Sequence, residues 1–489
     1  MSIRSDRNER PVNALSRRAL LEQCGYGIGT LALAGLLADG NGASAGPDVR
    51  EASSSPLDAV APHYAPRAKR IIHLFMNGGP SQIDTFDPKP AVTKLHGKPL
   101  PASVKGELQQ TQRNRVGTLF ASPFKFQKHG ASGLEISELY PHLAEHADEL
   151  CVIRSMQGEV ANHTPGLLLT NCGNSTLPRP SLGSWLLYGL GNESDELPGY
   201  VVLCPRGLPT AQSRNWTSAF LPGVYQGTHI DTASGGKPLI PNLTRGDVHP
   251  PSQRAQVDLA QFLNRRHQAA RPGDERLESR IHTMELAFRM QTAATDVFDL
   301  SGEPAHIREK YGDSIQGRNM LYARRLAERG VRYVQCYHGG GQPWDNHSGL
   351  VPRIKQLTRD SDQPIAALLT DLKQRGMLDD TLVIWSGEMG RTPTIQAAKV
   401  VNPDRIGRDH HVDGYTIWLA GGGVRRGTTY GSTDELGMKV AEKKVELHDL
   451  HATLLHLMGF DHHRLTYRYS GRDFRLTDVH GRVVEGILA

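Results

Sequence analysis

The sequence predicts an α/β protein with a mainly parallel central sheet, helices on both faces and loop-rich insertions. Strand-like and helix-like patterns alternate along much of the chain, as they do in proteins built from βαβ units. The 51 glycines and 30 prolines among 489 residues predict many connecting loops. Five apolar, β-rich runs fit buried central strands. They are Arg70–Met76, Leu150–Arg154, Val331–Tyr337, Leu382–Trp385 and Tyr415–Ala420.

The amino terminus has the pattern of a targeting segment. Ser16-Arg17-Arg18-Ala19-Leu20-Leu21 is a twin-arginine motif, and a modest apolar run from Gly25 to Ala38 follows it. Ala43-Ser44-Ala45 then offers the small residues of a cleavage site. We therefore expect residues 1–45 to be a twin-arginine signal peptide and the protein to be periplasmic or extracellular. Residues 46–69 are rich in Ser, Pro and Ala and predict a flexible linker, which leaves 70–489 as the α/β domain.

The helices are predicted in the same order along the chain. Their apolar spacing and end signals place them at Glu138–Glu149, Gly166–Thr170, Gln253–Arg266, Glu275–Thr295, Gly317–Arg329, Ile365–Arg375 and Val445–Gly459. Gly376 follows the sixth of these helices and is a good residue for a helix C-terminus. Between 174 and 250 the sequence is dominated by Gly, Pro and Asn, which predicts a loop-rich insertion.

The charge distribution and the cysteine spacing each exclude one kind of site. The net charge is +5 and the basic residues are spread along the chain, so nucleic acid is not an expected partner. No transmembrane segment is expected after removal of the signal peptide. Cys24 falls in the signal peptide, while Cys151, Cys172, Cys204 and Cys336 lack the close spacing of a metal knuckle. Their pairing cannot be derived from spacing and stays open.

Polar residues of one chemical kind follow several of the predicted strands. Because the carboxyl ends of parallel strands meet at one edge of the sheet, these residues are expected to lie near one another. Carboxylates and imidazoles on separate loops are the ligands of a zinc- or manganese-type ion. The candidate metal ligands are Asp84, Asp345, His347, Glu388, His410 and His411.

Three further residues are candidates for catalysis: Asn162, His163 and Arg391. His163 is placed either to protonate a leaving group or to cap its own loop. Arg391 suits either bidentate binding of a tetrahedral anion or an ion pair with Glu388. Asp84 has its own alternative, because Asp is also a common turn residue.

Sequence blocks along nearly the whole mature chain resemble one known family. They include LFMNGGPSQIDTFDPKP, RRLAERGVRYVQ, the Trp344-Asp345-x-His347 segment, SGEMGRTP, DHH…GGGVRRG and HDLHATLLHLMG, between about residue 70 and residue 480. In these blocks the chain resembles the twin-arginine-exported, sulfatase-like family of the alkaline phosphatase superfamily. The resemblance implies that superfamily's α/β fold and a metal-dependent hydrolase site.

The resemblance also implies roles for individual residues. Either His410 or His411 matches the superfamily's last histidine ligand. With His411 in that place, Asp345 and His347 complete the equivalent of one nearly intact metal site of the superfamily. Asp84 and Glu388 correspond to a second site, in which Met389 stands where a histidine ligand is usual.

The superfamily's nucleophile is the part of the pattern that this chain lacks. Asn162-His163 resembles the Asn-His of phosphodiesterase members, and Leu168-Leu169-Thr170-Asn171 resembles the run that follows it. Gln157-Gly158-Glu159-Val160-Ala161 occupies the region of the expected Ser, Thr or Cys, with Ser155 and Thr164 on either side. A water nucleophile would bypass the missing side chain.

Together these features predict an exported metal-dependent hydrolase of phosphate or sulfate esters. The expected cofactor is one or two divalent ions of the zinc, calcium or manganese type. The expected partner is a small anionic ester or a sulfated or phosphorylated glycan. The alternative is a non-catalytic protein that binds an anion or a glycan on the same fold.

Overall fold

The structure is a computed structural model that describes residues 56–107, 116–233, 239–240, 250–271, 275–396 and 406–489. The predicted signal peptide, 1–45, and the first part of the predicted linker lie outside the described residues. The family of strands, in chain order, is β1 (Arg70–Phe75), β2 (Val116–Leu119), β3 (Phe126–His129), β4 (Leu134–Ser137), β5 (Leu150–Gln157), β6 (Tyr200–Leu203), β7 (Thr228–Ile230), β8 (Tyr333–Tyr337), β9 (Thr381–Ser386), β10 (Gly390–Gln396), β11 (Arg408–His411), β12 (Tyr415–Ala420), β13 (Thr428–Tyr430), β14 (Ser432–Thr433), β15 (Val440–Glu442), β16 (Val445–Glu446), β17 (Tyr467–Tyr469) and β18 (Arg472–Phe474).

The α-helices of the described residues are named in the same way. They are α1 (Gln82–Thr85), α2 (Pro90–Lys94), α3 (Ala102–Glu107), α4 (His163–Cys172), α5 (Leu182–Leu190), α6 (Pro250–Ala269), α7 (Glu275–Phe298), α8 (Ala305–Tyr311), α9 (Ile315–Glu328), α10 (Leu350–Gln374) and α11 (Leu447–Leu457).

The central sheet confirms the predicted fold class. Its strands lie in the order β13-β5-β12-β9-β1-β8-β6-β7, and β16 pairs with β5. All of them run in one direction except β12, which is antiparallel to both β5 and β9. The first residue of β12 therefore lies at the edge where the parallel strands end. A small second sheet, β11-β10-β2, extends from this edge.

The sheet is buried on both faces, which explains the nearly continuous apolar character of its strands. Alternate residues of β1 belong to different cores: Ile72 and Leu74 pack on one face, whereas Ile71 and Phe75 pack on the other. Helices α9 and α10 supply the first core, and α4, α5 and α11 supply the second. This arrangement gives the predicted layer of helices on each face.

Three segments of the domain differ from the sequence-based expectation. The predicted helix Glu138–Glu149 is a shorter 3₁₀ segment, Leu143–Glu149. Helix α10 begins 15 residues before the predicted start at Ile365. Pro364, directly before that predicted start, lies inside the helix. The predicted insertion at 174–250 contains the buried helix α5, and its strands β6 and β7 belong to the central sheet. Most of this Gly- and Pro-rich segment, which was predicted to be an insertion, is therefore part of the α/β domain.

The described part of the predicted flexible linker, residues 56–69, also packs on the domain. The backbone N–H of Val60 donates to Leu190 O at 2.9 Å, and those of Arg67 and Ala68 both donate to Leu457 O at 2.9 Å. Ala68 is fully buried. The ordered domain therefore extends before residue 70, because this segment covers the ends of α5 and α11.

The described residues show the thiol state of four cysteines and whether any helix has the properties of a membrane span. Cys151, Cys172, Cys204 and Cys336 are free thiols and all four are buried. None of the helices in the described ranges combines the length and apolar character that crossing a bilayer requires.

Candidate metal centre

Three segments at the carboxyl edge of the sheet bring four side chains together at one point. The connection after β5 leads into α4 and carries His163, and the loop after β8 carries Asp345 and His347. His410 lies in β11, shortly before the antiparallel strand β12 begins at the same edge. Each of the four side chains offers one ligand atom, and these atoms lie within 4.8 Å of one another.

The ligand atoms are the Nε2 atoms of three histidines and the carboxylate of Asp345. His347 Nε2 lies 3.0 Å from Asp345 Oδ1 and 3.0 Å from His410 Nε2. His410 Nε2 lies 3.2 Å from Asp345 Oδ1, and His163 Nε2 lies 3.2 Å from Asp345 Oδ2. Ligand atoms of a tetrahedral zinc site with bonds of roughly 2.0–2.1 Å lie about 3.3 Å apart. The cluster therefore has nearly the size of such a site.

A fixed acceptor holds the other ring nitrogen of every histidine. His163 Nδ1–H donates to Glu388 Oε1 at 2.7 Å, and His347 Nδ1–H donates to Gln396 Oε1 at 2.6 Å. His410 Nδ1–H donates to the backbone carbonyl of Ala161 at 3.0 Å. These bonds select the tautomer whose Nε2 lone pair faces the centre, as the outer partners of metal-bound histidines do.

This arrangement fits a cation. With Nδ1 protonated, three Nε2 lone pairs and a carboxylate face one another, and such an array is repulsive unless a positive charge lies among them. Nitrogen and carboxylate donors together suit a zinc- or manganese-type ion. His163, Asp345, His347 and His410 would hold it.

One side of the four-residue cluster is exposed to solvent. The side chain of His347 is 32% exposed and that of Asp345 is 24% exposed, whereas His163 and His410 are 15% and 16% exposed. A metal site that only stabilises a fold is normally closed by its protein ligands. Partial exposure on the His347 side leaves room for a small molecule to approach.

Arg391 contacts Asp345 from the buried side of the cluster and is not available to an external anion. Its side chain is fully buried, and Nη2 donates to Asp345 Oδ1 at 2.5 Å. Nε donates to Gly79 O at 2.9 Å, and Nη2 also donates to Gly78 O. The prediction that Arg391 clamps a substrate anion does not agree with this geometry. Its guanidinium is already occupied by one carboxylate and by backbone carbonyls, so it positions Asp345.

Gly78 lies between the Asp345 loop and Glu388, and its conformation and surroundings require glycine. Its φ is +116°, and a Cβ at this position would lie 2.5 Å from Asp345 N. Its backbone N–H donates to both oxygens of Glu388, at 3.1 Å each. Any side chain here would push the Asp345 loop away from the end of β1.

The charges of the centre shift the pKa values of its members in opposite directions. Burial alone would raise the pKa of Asp345, but bonds from His163, His347 and His410 and the charge of Arg391 hold it well below its usual range. Burial alone would lower the pKa of His163, but its bonds to Asp345 and Glu388 raise it to about 9. In the ion-free chain, His163 is therefore the group that carries a proton into this cluster.

This raised pKa predicts how the stability of the ion-free protein depends on pH. A histidine whose pKa rises on folding stabilises the fold fully below its unfolded pKa of about 6.5 and loses that contribution as pH rises through the folded value. In chelator, the free energy of unfolding should fall by about 2 to 3 kcal/mol between pH 7 and pH 10. Denaturant titrations at several pH values measure it, with His163→Gln as the variant that should lack this component. An unchanged pH dependence in His163→Gln would contradict the assignment.

Asp84 lies outside the cluster, contrary to its expected role as a ligand. Arg408 Nε donates to Asp84 Oδ2 at 2.8 Å and Arg408 Nη2 donates to Asp84 Oδ1 at 3.1 Å. Both side chains are fully buried. Ser81 Oγ donates to Asp84 Oδ2 at 2.6 Å. A guanidinium therefore takes the position next to Asp84 that a second metal ion was expected to take.

Glu388 and His411 also lie outside the four-residue cluster. The oxygens of Glu388 are occupied by His163 Nδ1–H and by the N–H of Gly78, so Glu388 orients a ligand. His411 follows His410 in a β-strand, where successive side chains point to opposite faces. His411 is fully buried, and burial lowers its pKa. Met389 is fully buried against Gly79 and Gly166 and packs as a core residue.

Ser155, one of the two hydroxyl residues that flank the region of the missing nucleophile, does not face the cluster. Ser155 is fully buried, and its Oγ donates to Lys443 O at 2.7 Å. Glu159 Oε1 lies 4.0 Å from His448 Nδ1, away from the four ligands. Asn162 is the exposed N-cap residue of α4, and its side chain makes no capping hydrogen bond. Its amide is therefore available to a bound molecule beside His163.

Sequence reasoning missed two residues that support the centre, Gln396 and Arg408. A glutamine that orients a histidine gives no signal in a single sequence. The Arg408-Asp409-His410 triplet did show an arginine two residues before a candidate ligand, but its partner Asp84 is more than three hundred residues earlier in the chain.

Comparison with protein-family profiles shows which family the chain belongs to. Residues 68–488 match the profile of the family described as "Protein of unknown function (DUF1501)". The chain belongs to the DUF1501 family. No curated protein is significantly similar to this DUF1501 chain in sequence.

Several solved structures are similar to the DUF1501 chain at low scores. The PsFucS1 sulfatase from Pseudoalteromonas sp. is 13% identical with a TM-score of 0.33, and the match covers 81% of this chain and 68% of that one. The lipoteichoic acid synthase LtaP from Listeria monocytogenes is 11% identical with a TM-score of 0.34, with 89% and 78% covered. The alkaline phosphatase from the Antarctic bacterium TAB5 is 10% identical with a TM-score of 0.29, with 73% and 92% covered. Likeness at these scores supports no inference about activity.

Proposed function

We propose that this DUF1501 chain is an exported, metal-dependent hydrolase of phosphate or sulfate esters that uses one divalent ion. The observation that carries the proposal is the convergence of His163, Asp345, His347 and His410, with the Nδ1–H of each histidine held by an acceptor. A preorganised set of nitrogen and carboxylate donors at a partly exposed edge is the arrangement that metal-dependent hydrolysis requires.

One ion is proposed because the remaining acidic groups are already neutralised. Asp84 is paired with Arg408, and Glu388 accepts from Gly78 and His163. Among the described residues only one group of metal-ligating side chains converges. A second divalent ion would have to displace a buried guanidinium, which costs several kcal/mol.

The chemistry divides between the ion and the chain. When bound, a divalent ion supplies Lewis-acid activation of water and of a phosphoryl or sulfuryl oxygen. Asp345 and the three histidines hold it, and Arg391 fixes the Asp345 carboxylate. Asn162, at the N-terminus of α4, can donate a hydrogen bond to a substrate oxygen, and the helix dipole favours negative charge there. Activated water makes a side-chain nucleophile unnecessary.

Export is part of the proposal and is supported by the amino-terminal sequence alone. The twin-arginine motif at Ser16–Leu21, the apolar run after it and Ala43-Ser44-Ala45 form a complete signal pattern. Proteins exported by this route are generally folded first, so the ion could be inserted before export.

The test measures metal content and turnover on the same purified protein. Elemental analysis should find one ion per chain, and a panel of phosphate monoesters, phosphate diesters and sulfate esters should reveal hydrolysis. Turnover should be lost in chelator and return on adding zinc or manganese. A folded protein with neither bound metal nor chelator-sensitive turnover would refute the proposal.

The alternative function, non-catalytic binding of an anion or glycan, is favoured by one observation. Four protein ligands are enough to close a tetrahedral site, as in structural zinc centres. This alternative predicts one bound ion with no turnover on any ester of the panel, together with retained binding of an anionic glycan.

A further inference from the structure

One face of helix α6 is covered by helix α7. Gln261 is only 3% exposed, and its Nε2 donates to Ile281 O at 2.8 Å. Arg254 Nη1 donates to Glu285 Oε1 at 2.9 Å. Positions 254 and 261 are about two helical turns apart and therefore lie on the same side of α6. The polar side chains of this face are thus used within the α6–α7 pair.

The opposite face of α6 carries apolar side chains that are open to solvent. Leu259 is 53% exposed and Phe262 is 58% exposed, and Ala255, Arg266 and Ala269 are exposed as well. These five residues follow one another in alternating steps of four and three, which is the repeat of a coiled-coil seam. We call them the α6 seam. Their exposure shows that the described part of the chain leaves the seam uncovered, so it can receive a second helix.

The charges beside the α6 seam are divided between its two ends. Asp258 is the one acidic residue of α6, and its side chain is 57% exposed. Arg254 Nε donates to Asp258 Oδ1 at 2.9 Å. Arg265 follows Asp258 by seven residues and therefore lies on the same side of the seam. It is exposed and pairs with no carboxylate of the described residues. One half of α6 thus offers a carboxylate and the other half offers a free guanidinium.

Two antiparallel copies of α6 would bring these opposite charges together. With a twofold axis between Leu259 and Phe262, Leu259 of each copy faces Phe262 of the other. Asp258 of each copy then lies within one helical turn of Arg265 of the other copy. Because a twofold interface uses the same patch on both copies, each of these contacts occurs twice. A parallel arrangement would instead bring the two arginine-containing ends together, and like charges oppose association.

We propose that the α6 seam joins two copies of this chain in an antiparallel dimer. Charge complementarity selects a second copy as the occupant, because an anionic surface would attract Arg265 and Arg266 but repel Asp258, whereas a second copy meets both signs. One helix from each copy gives a smaller contact than the roughly 1,600 Å² of a standard interface, so the dimer should dissociate in the micromolar range. The dimer is independent of the proposed hydrolysis, since the four converging ligands lie outside α6.

Sedimentation equilibrium of the purified mature protein at several concentrations measures the dissociation constant. The protein should change from monomer to dimer as its concentration rises. Phe262→Asp should raise the dissociation constant about thirtyfold or more, because it places two carboxylates at the centre of the seam. Leu177→Asp is the matched control, since Leu177 is 56% exposed but lies between α4 and α5. It should leave the dissociation constant unchanged. Thermal unfolding and elemental analysis verify that each variant is folded.

Reversal of the two charges tests the antiparallel arrangement. Asp258→Arg alone and Arg265→Asp alone should each raise the dissociation constant about tenfold or more, because both symmetric contacts become repulsive. A mixture of these two variants should form a heterodimer with nearly wild-type affinity, since each contact again joins opposite charges. Arg280→Asp changes an exposed arginine of α7 instead. Fluorescently labelled Asp258→Arg protein should bind Arg280→Asp much more weakly than it binds Arg265→Asp.

Several results would overturn the proposed dimer. A monomer at every concentration would do so, as would a dimer whose affinity is the same in Phe262→Asp. Association of the charge-reversed mixture that is no stronger than that of either variant alone would exclude the antiparallel arrangement. Vesicles of phosphatidylglycerol and phosphatidylcholine provide the remaining arm. If the monomer bound these vesicles and Phe262→Asp abolished that binding, the seam would belong to a lipid surface and the second copy would be rejected.

Discussion

Asp345→Asn is expected to lower zinc affinity roughly a hundredfold or more, since loss of a ligand exceeds the loss seen when an outer partner is removed. Asp345 is the one carboxylate in the cluster, and its oxygens lie within 3.2 Å of three histidine Nε2 atoms. Chelator-sensitive hydrolysis should disappear with the ion. Asparagine keeps an oxygen for Arg391, so the variant should still fold, with a loss of about 1 to 3 kcal/mol. Competition with a fluorescent zinc chelator measures the affinity.

Asp379→Asn is the matched control for this prediction. The Asp379 side chain is 80% exposed and pairs with Arg426 on the surface. Its substitution should change neither zinc affinity nor stability by a measurable amount. Wild-type zinc affinity in a folded Asp345→Asn protein would remove Asp345 from the metal centre.

Arg408→Ala is expected to cost about 3 to 5 kcal/mol of stability, because it leaves the fully buried carboxylate of Asp84 without its partner. Denaturant titration measures this loss. The milder Asp84→Asn keeps a hydrogen-bonding side chain and should remain folded. Elemental analysis of Asp84→Asn should still find one ion per chain, because Asp84 is not among the four converging ligands.

The double variant Asp84→Leu with Arg408→Met separates the buried charge from the packing. It removes both charges while keeping apolar volume, and should therefore recover part of the stability that Arg408→Ala loses. If folded Asp84→Asn instead lost its ion, Asp84 would be a ligand, as the sequence alone suggested.

These variants divide the candidate residues by role. Asp345 and three histidines hold the ion, Glu388 and Arg391 orient those ligands, and the Asp84–Arg408 pair holds the surrounding strands. The distinction bears on mechanism, because a single ion must activate water and substrate together, whereas two ions can share these tasks.

The choice between His410 and His411 shows the limit of sequence reasoning most clearly. Two adjacent histidines in a strand point to opposite faces, so a shift of one residue in register exchanges them. The register is set by pairing of β11 with β10, in which His410 lies opposite Arg391 and His411 opposite Gly390. Nothing in the order of the residues gives that pairing.

The amino-acid sequence by itself determined the strands and the edge at which the chemistry lies. Apolar runs such as Leu382–Trp385 have to be buried, and the polar residues after them have to follow the ends of the strands. Tertiary structure alone decided which of those residues converge. Arg408 neutralises Asp84, and Gly78 together with His163 occupies Glu388, through contacts between residues about two to three hundred positions apart. Such pairings depend on how the loops pack in three dimensions, and local sequence carries no record of them.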